Sequence, residues 1–186
     1  MTFIRRVKTL PRFIRRFVRD RGGVSAVEFA FVLPVMLTIY LGGVEVGDGL
    51  AIQFKTILVA RTITDLASQY VSINNATMSS ILNAGTTVVA PYSASGMVVT
   101  LSEITTNAKG QGTVAWSDSL NGTPRTVGSS FTLPTNMQTA NITVLYGEVT
   151  YPYNPQFGYV LTGVINIFQS MYFYPRLSTT ITRTNS

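Results

Sequence analysis

The sequence contains no cysteine and no histidine, and a single tryptophan, in 186 residues. Without cysteine there is no disulfide framework, no thiol nucleophile and no thiolate zinc site. Without histidine the commonest general base and metal ligand is missing too. No phosphate-cradling Gly-Lys-Ser/Thr loop occurs and no Gly-x-Ser-x-Gly nucleophile elbow. Gly110-Gln111-Gly112 reads as a loop, not as a dinucleotide fingerprint. Charge is scarce as well: 12% of residues are charged and 46% hydrophobic, where soluble domains carry about 25% charged residues. These absences predict a protein that is not an enzyme, holds no cofactor and no metal, and belongs to a membrane or exported setting.

The charge that is present is unevenly placed. Arg5, Arg6, Lys8, Arg12, Arg15, Arg16, Arg19 and Arg21 are eight of the fourteen basic residues, and Asp20 is the one acid beside them. Such an arm could bind phosphates, but it abuts an apolar run, so we expect no nucleic-acid partner. From Val24 to Val44 the sequence is VSAVEFAFVLPVMLTIYLGGV, 21 residues with one charge, Glu28. A helix of that length reaches roughly 30 Å, the thickness of a bilayer's hydrocarbon core. Lys and Arg then disappear until Lys55, which predicts a cytoplasmic N-terminus and an external C-terminal region.

A secretory signal fits poorly, because the run is long and Tyr40-Leu41-Gly42-Gly43 is a weak cleavage site. Arg15-Arg16-Phe17-Val18 only superficially matches a twin-arginine signal. A third possibility is a prepilin leader, cut before an apolar helix that stays in the mature chain. Glu28 bears on the choice, since a carboxylate at the centre of a span costs about 2.5–3.5 kcal/mol and a plain anchor has no use for one.

Arg21-Gly22-Gly23-Val24-Ser25-Ala26-Val27-Glu28-Phe29 resembles the processing site of the tight-adherence (Tad, type IVc) pilus system and its TadE/TadG-like assembly proteins. Pro34, the stretch Gly43-Val44-Glu45-Val46-Gly47, Thr64-Asp65-Leu66-Ala67-Ser68-Gln69 and Tyr151-Pro152-Tyr153-Asn154-Pro155 extend the resemblance. It implies cleavage after Gly23 by a prepilin peptidase, leaving Val24 as the new N-terminus. It also implies that Glu28 and Phe29 serve processing recognition and assembly, Glu28 by pairing with a neighbouring subunit's terminal amine. The implied partners are the peptidase, other minor pilins, the major pilin and inner-membrane lipid. The implied function is a minor pilin (pseudopilin) of an adhesive pilus, inserted in the bacterial inner membrane with its C-terminal region periplasmic. The alternative is a permanently anchored periplasmic binding module with an uncut N-terminus. Pro34 would kink the helix at a tolerable cost in a span. Gly43 and Gly47, four apart, would permit close helix packing.

Four regions are expected: a leader 1–23, a transmembrane helix 24–45, a helical region 46–90 and a β-rich region 91–186. The first long helix is expected over about 24–70, with Leu50, Phe54, Ile57, Leu58, Leu66 and Tyr70 recurring at helical spacing and Arg61 paired to Asp65. A second helix starts near Asn75 and ends at Gly85. Strands follow at 96–104, 113–117 and 140–153, with a hairpin loop over 107–112. The fold class is therefore α+β, a single N-terminal transmembrane helix extended into a long amphipathic helix packed on a small antiparallel sheet. The charge-free segment 157–174 reads as a hydrophobic loop or helix against the domain or the membrane surface rather than a second span. Glu103, Asp118 and Glu148 are expected in solvent, and the Asn-x-Thr triplets at Asn75, Asn121 and Asn141 carry no expected modification.

Overall fold

The computed structural model describes residues 21–158 and 162–184. The basic arm, with its arginine pairs and most of the expected leader, lies outside the described residues, as do 159–161 within the charge-free segment. The first element, α1 (Arg21–Ser68), is a 48-residue helix containing Pro34. The chain divides into two compact units at Val44–Glu45, and α1 contributes to both. In the first unit every described side chain from Val24 to Tyr40 is exposed. This helix is long and apolar enough to cross a membrane, which makes it the chain's candidate span.

The second unit is α+β. After α1 come β1 (Ser72–Ile73), α2 (Asn75–Val88), β2 (Val98–Thr106), β3 (Gly112–Leu120), β4 (Ser130–Phe131), a 3-10 turn at Thr135–Met137, β5 (Thr143–Tyr153), β6 (Ile165–Phe173) and β7 (Thr182–Arg183). Five strands form one antiparallel sheet in the order β4-β3-β2-β5-β6, and β1 pairs in parallel with β7. The β2–β3 hairpin turns where expected: the Asn107 side-chain oxygen accepts the N–H groups of Lys109 and Gln111. Gly110 there takes φ 75°, a conformation that suits glycine.

The main core lies between one face of the sheet and the two helices. Val99, Leu101, Leu145 and Val149 from the sheet meet Val59, Ala60, Ile63 and Ala67 of α1 and Met78, Ile81 and Leu82 of α2. A smaller cluster of Ile104, Val114, Leu133 and Tyr146 covers part of the other face. Along β5, which falls within the strand expected at 140–153, Val144 and Tyr146 lie on one side and Leu145, Val149 and Tyr151 on the other.

Several expectations need correction. The face of α1 that packs is not the one with the bulkiest residues: Leu50, Phe54, Leu58 and Tyr70 are exposed, while Ile52, Thr56, Val59, Ala60, Ile63, Thr64 and Ala67 are buried. The reason is close approach to the sheet. A Cβ added at Gly147 of β5 would fall 1.9 Å from the Thr64 hydroxyl oxygen, so this contact demands small side chains. Helix α2 runs past Gly85 to Val88. That glycine is a contact point, where a Cβ would stand 2.9 Å from Val59 Cγ1. The Asn74 side chain caps its start by accepting the Thr77 N–H, and Lys55 Nζ donates to the Val88 carbonyl near its end. The second half of 157–174 is neither loop nor helix: β6 pairs with β5 from Tyr153↔Ile165 to Leu145↔Phe173 without a register shift.

Candidate functional site

The residues singled out in the sequence lie along α1. Gly23, Val24, Glu28 and Phe29 occupy its exposed first turns. They are brought together only by helical succession, with no packed cavity around them. Pro34 sits in the exposed apolar stretch, and the Thr38 hydroxyl donates to its carbonyl at 2.8 Å, a local bond of the kind that bends helices slightly. At Gly43 and Gly47 an added Cβ would meet no heavy atom within 4 Å. Both are open for something else to approach. Beyond them Val46, Leu50, Phe54 and Leu58 recur every fourth residue, all exposed, with Phe54 at 70%. Side chains four apart lie on one helix face. The C-terminal half of α1 is thus apolar on two faces, one against the sheet and one uncovered.

Where the apolar stretch ends, Glu45 is buried. Its carbonyl accepts the Tyr153 hydroxyl at 2.8 Å, and its Oε1 accepts the Phe157 N–H at 3.1 Å. Burial pushes the Tyr153 phenol above its usual range, with Asp48 and Glu45 adding to the shift. The sequence quoted Glu45 and Tyr153 only as parts of two separate motifs. A second carboxylate bordering an apolar run was the available signal, but its partner stands more than a hundred residues away.

At the other end of α1 the C-terminal segment closes over the helix. The Arg176 N–H donates to the Ser68 carbonyl, and the N–H groups of Thr182 and Thr184 to Val71 and Ile73. Asp65 pairs with Arg176, and not with Arg61 as its helical spacing suggested. The three acids expected in solvent are all engaged. Glu103 is 2% exposed; its Oε1 accepts the Ile181 N–H at 2.7 Å while the Trp116 indole donates to the Ile181 carbonyl at 2.9 Å. Burial raises the Glu103 pKa, held back by the Ile181 N–H and by Trp116. Asp118 binds Arg183 through both oxygens, at 2.9 and 3.1 Å. Glu148 meets Arg125 at 2.7 Å, whose guanidinium lies 5.1 Å from the Phe131 ring centre and 5.4 Å from that of Tyr146. These pairs fasten structure; none borders the exposed face of α1.

The model of the TadE-like protein family matches residues 23–65. No curated protein and no solved structure matches the chain. The matched segment takes in Gly23, Glu28, Pro34, Gly43, Glu45 and Gly47, and stops within the turns of α1 that pack on the sheet. Along residues 23–65, then, the chain is similar to the TadE-like proteins, the family that the motif from Gly23 to Pro34 resembles.

Proposed function

We propose that this chain is a minor pilin-like, non-catalytic component of a Tad-type pilus assembly system. It sits in the inner membrane by the N-terminal half of α1, with its N-terminus cytoplasmic and its α+β unit periplasmic. A prepilin peptidase cuts after Gly23. Its further partners are other minor pilins and the major pilin.

The observation that carries this reading is the TadE-like match falling on a helix that is apolar and exposed from Val24 to Tyr40 and keeps one apolar face uncovered beyond. A membrane anchor needs only the 24–44 stretch. The exposed Val46, Leu50, Phe54 and Leu58, beyond it, give a surface on which another helix can pack, and the open positions at Gly43 and Gly47 let a backbone come close. Glu28 fits the same reading, because a carboxylate in low dielectric is relieved by a neighbouring amine.

The test is mass spectrometry of the N-terminus of protein extracted from membranes of cells that make the pilus. A chain beginning at Val24 is expected. An intact Met1 terminus would overturn processing and favour a permanent anchor. Gly23→Leu should leave the uncut precursor visible on a gel.

A further inference from the structure

The five-stranded sheet ends differently on its two sides. On one side the last strand is β4, two residues long, with the Arg125 guanidinium over its Phe131 ring. Short length and a nearby charge are common means of keeping a sheet edge from pairing with another chain. On the other side the last strand is β6, nine residues from Ile165 to Phe173. It contains no proline, no glycine and no charge, and the nearest charges in sequence are Glu148 and Arg176. Its pairing with β5 carries no bulge. Among the described residues, no backbone–backbone hydrogen bond joins β6 to anything but β5. A row of N–H and C=O groups along its outer side is therefore open.

The side chains of this strand also match their own reversed order. Gln169 is the midpoint of Ile165–Phe173, so a two-fold axis there lets a second β6 pair antiparallel along its whole length. Ile165 then stands opposite Phe173 and Ile167 opposite Met171, apolar against apolar. On the other face Asn166 meets Tyr172 and Phe168 meets Ser170, a ring against a smaller polar side chain each time. The faces agree as well, because residues opposite each other in this register have the same parity and project to the same side. Ile167 and Met171 already pack on the main core, and Tyr172 on the smaller cluster. Phe168, 52% exposed in the single chain, would be partly covered.

We infer that β6 is a self-association edge: two copies of this chain join their sheets, β6 to β6, into one continuous antiparallel sheet. A second copy is the occupant because a two-fold pairing sets the strand against its own sequence. Any charge on it would face or neighbour its like, which is destabilising, and this strand has none. Pairing along the whole strand makes about eight to ten hydrogen bonds. The inference concerns the α+β unit alone and needs neither leader cleavage nor a pilus.

The chain has no cysteine, so one introduced thiol takes one nitroxide label. Full-length Phe168→Cys and Val127→Cys proteins are labelled and reconstituted in phosphatidylcholine vesicles at low protein density. Dipolar spectroscopy then reads distances between copies. In the proposed register the two 168 side chains lie diagonally across the axis, about 7–8 Å apart, so a label separation below about 20 Å is expected. Val127 is 63% exposed and lies near β4, at the far edge of the sheet. Its labels should stand roughly 40 Å apart at strand spacings of about 4.8 Å. Adding Gln169→Lys to the 168-labelled protein sets like charges face to face and should lower the short-distance signal about tenfold or more. Circular dichroism should show the sheet retained, and mixing in Gln169→Glu copies should restore the signal. The two label distances decide the matter even where a Gln169 variant loses its fold. Absence of a short distance at 168 overturns self-pairing, and an immobilised 168 label without a partner assigns the edge to lipid instead. Short distances at both 168 and 127 mean unspecific clustering and overturn the inference. So does a short distance that survives Gln169→Lys, because another surface then joins the copies.

Discussion

The two halves of α1 share a helix and a strongly apolar composition, but they use that composition differently. From Val24 to Tyr40 the large side chains are exposed all round, and the interruptions in 24–44 include Glu28, Pro34 and Gly43. In residues 45–68 one face is committed to the sheet through small or β-branched residues, while the opposite face keeps Leu50, Phe54 and Leu58 uncovered. Bulk marks the surface left for partners; smallness marks the surface already occupied. A helix packs closely on a sheet only where both sides are trimmed, as at Thr64 and Gly147. The same helix can approach another helix where glycine leaves room, as at Gly43.

Substitutions in the two halves should therefore separate assembly from stability. The largest effect belongs to the first half. Glu28→Ala should lower incorporation into pili at least tenfold, the equivalent of about 1.4 kcal/mol or more, while leader cleavage continues. Immunoblotting of sheared fibres against membranes reads both, and normal incorporation would remove the assembly role. Next comes the packed half. Gly147→Val should cost about 3 kcal/mol by overpacking and lower the melting temperature by roughly 10 °C. Gly43→Ala, in open space, should leave melting unchanged within about 0.5 kcal/mol, and should lower incorporation. Equal melting losses in both would erase the distinction.

A smaller effect tests the clasp on the packed half. Glu103→Ala leaves the buried Ile181 N–H without its acceptor, a loss of about 2 kcal/mol; Glu103→Gln keeps an acceptor and should lose less. The two differ from wild type in pH dependence as well. The folded chain binds the Glu103 proton more tightly than the unfolded chain does, so this residue's contribution to stability is greatest below the ordinary value of 4.5 and declines as pH rises through the raised one. Melting curves from pH 4 to 8 should show that decline in wild type relative to the Gln variant. The smallest stability effect is expected at Phe54→Ser, within about 0.5 kcal/mol because the side chain is exposed. Its incorporation should nonetheless fall, and unchanged incorporation would show that the uncovered face of 45–58 meets no partner.

Periodicity and turn chemistry carried much of the fold in the sequence. Period-two alternation located β2, β3 and β5, Asn107 and Gly110 located the hairpin, and the apolar stretch before Glu45 located the candidate span. The packed face of α1 was misread because hydrophobic bulk was taken as the sign of burial, whereas the sheet contact selected Thr, Ala, Val and Ile. β6 was missed because an edge strand rich in aromatics and free of charge has no alternation to display. The acid pairs were illegible for another reason. Glu103 with Ile181, Asp118 with Arg183 and Glu148 with Arg125 are separated by 78, 65 and 23 residues, and no local pattern records such pairings. The candidate site fared the opposite way: Gly23 through Pro34 were readable as a motif, because these residues follow one another along one helix.

The clasp made by Arg176, Ile181 and Arg183 also sets an order of events. Ile181 lies in the main core and shields Glu103, and β7 is the sole partner of β1 among the described strands. The α+β unit therefore cannot complete its core until the chain is present through residue 183. On the proposed topology, in which this unit crosses the membrane, the chain would travel without its last wedge and lock only after its end had arrived.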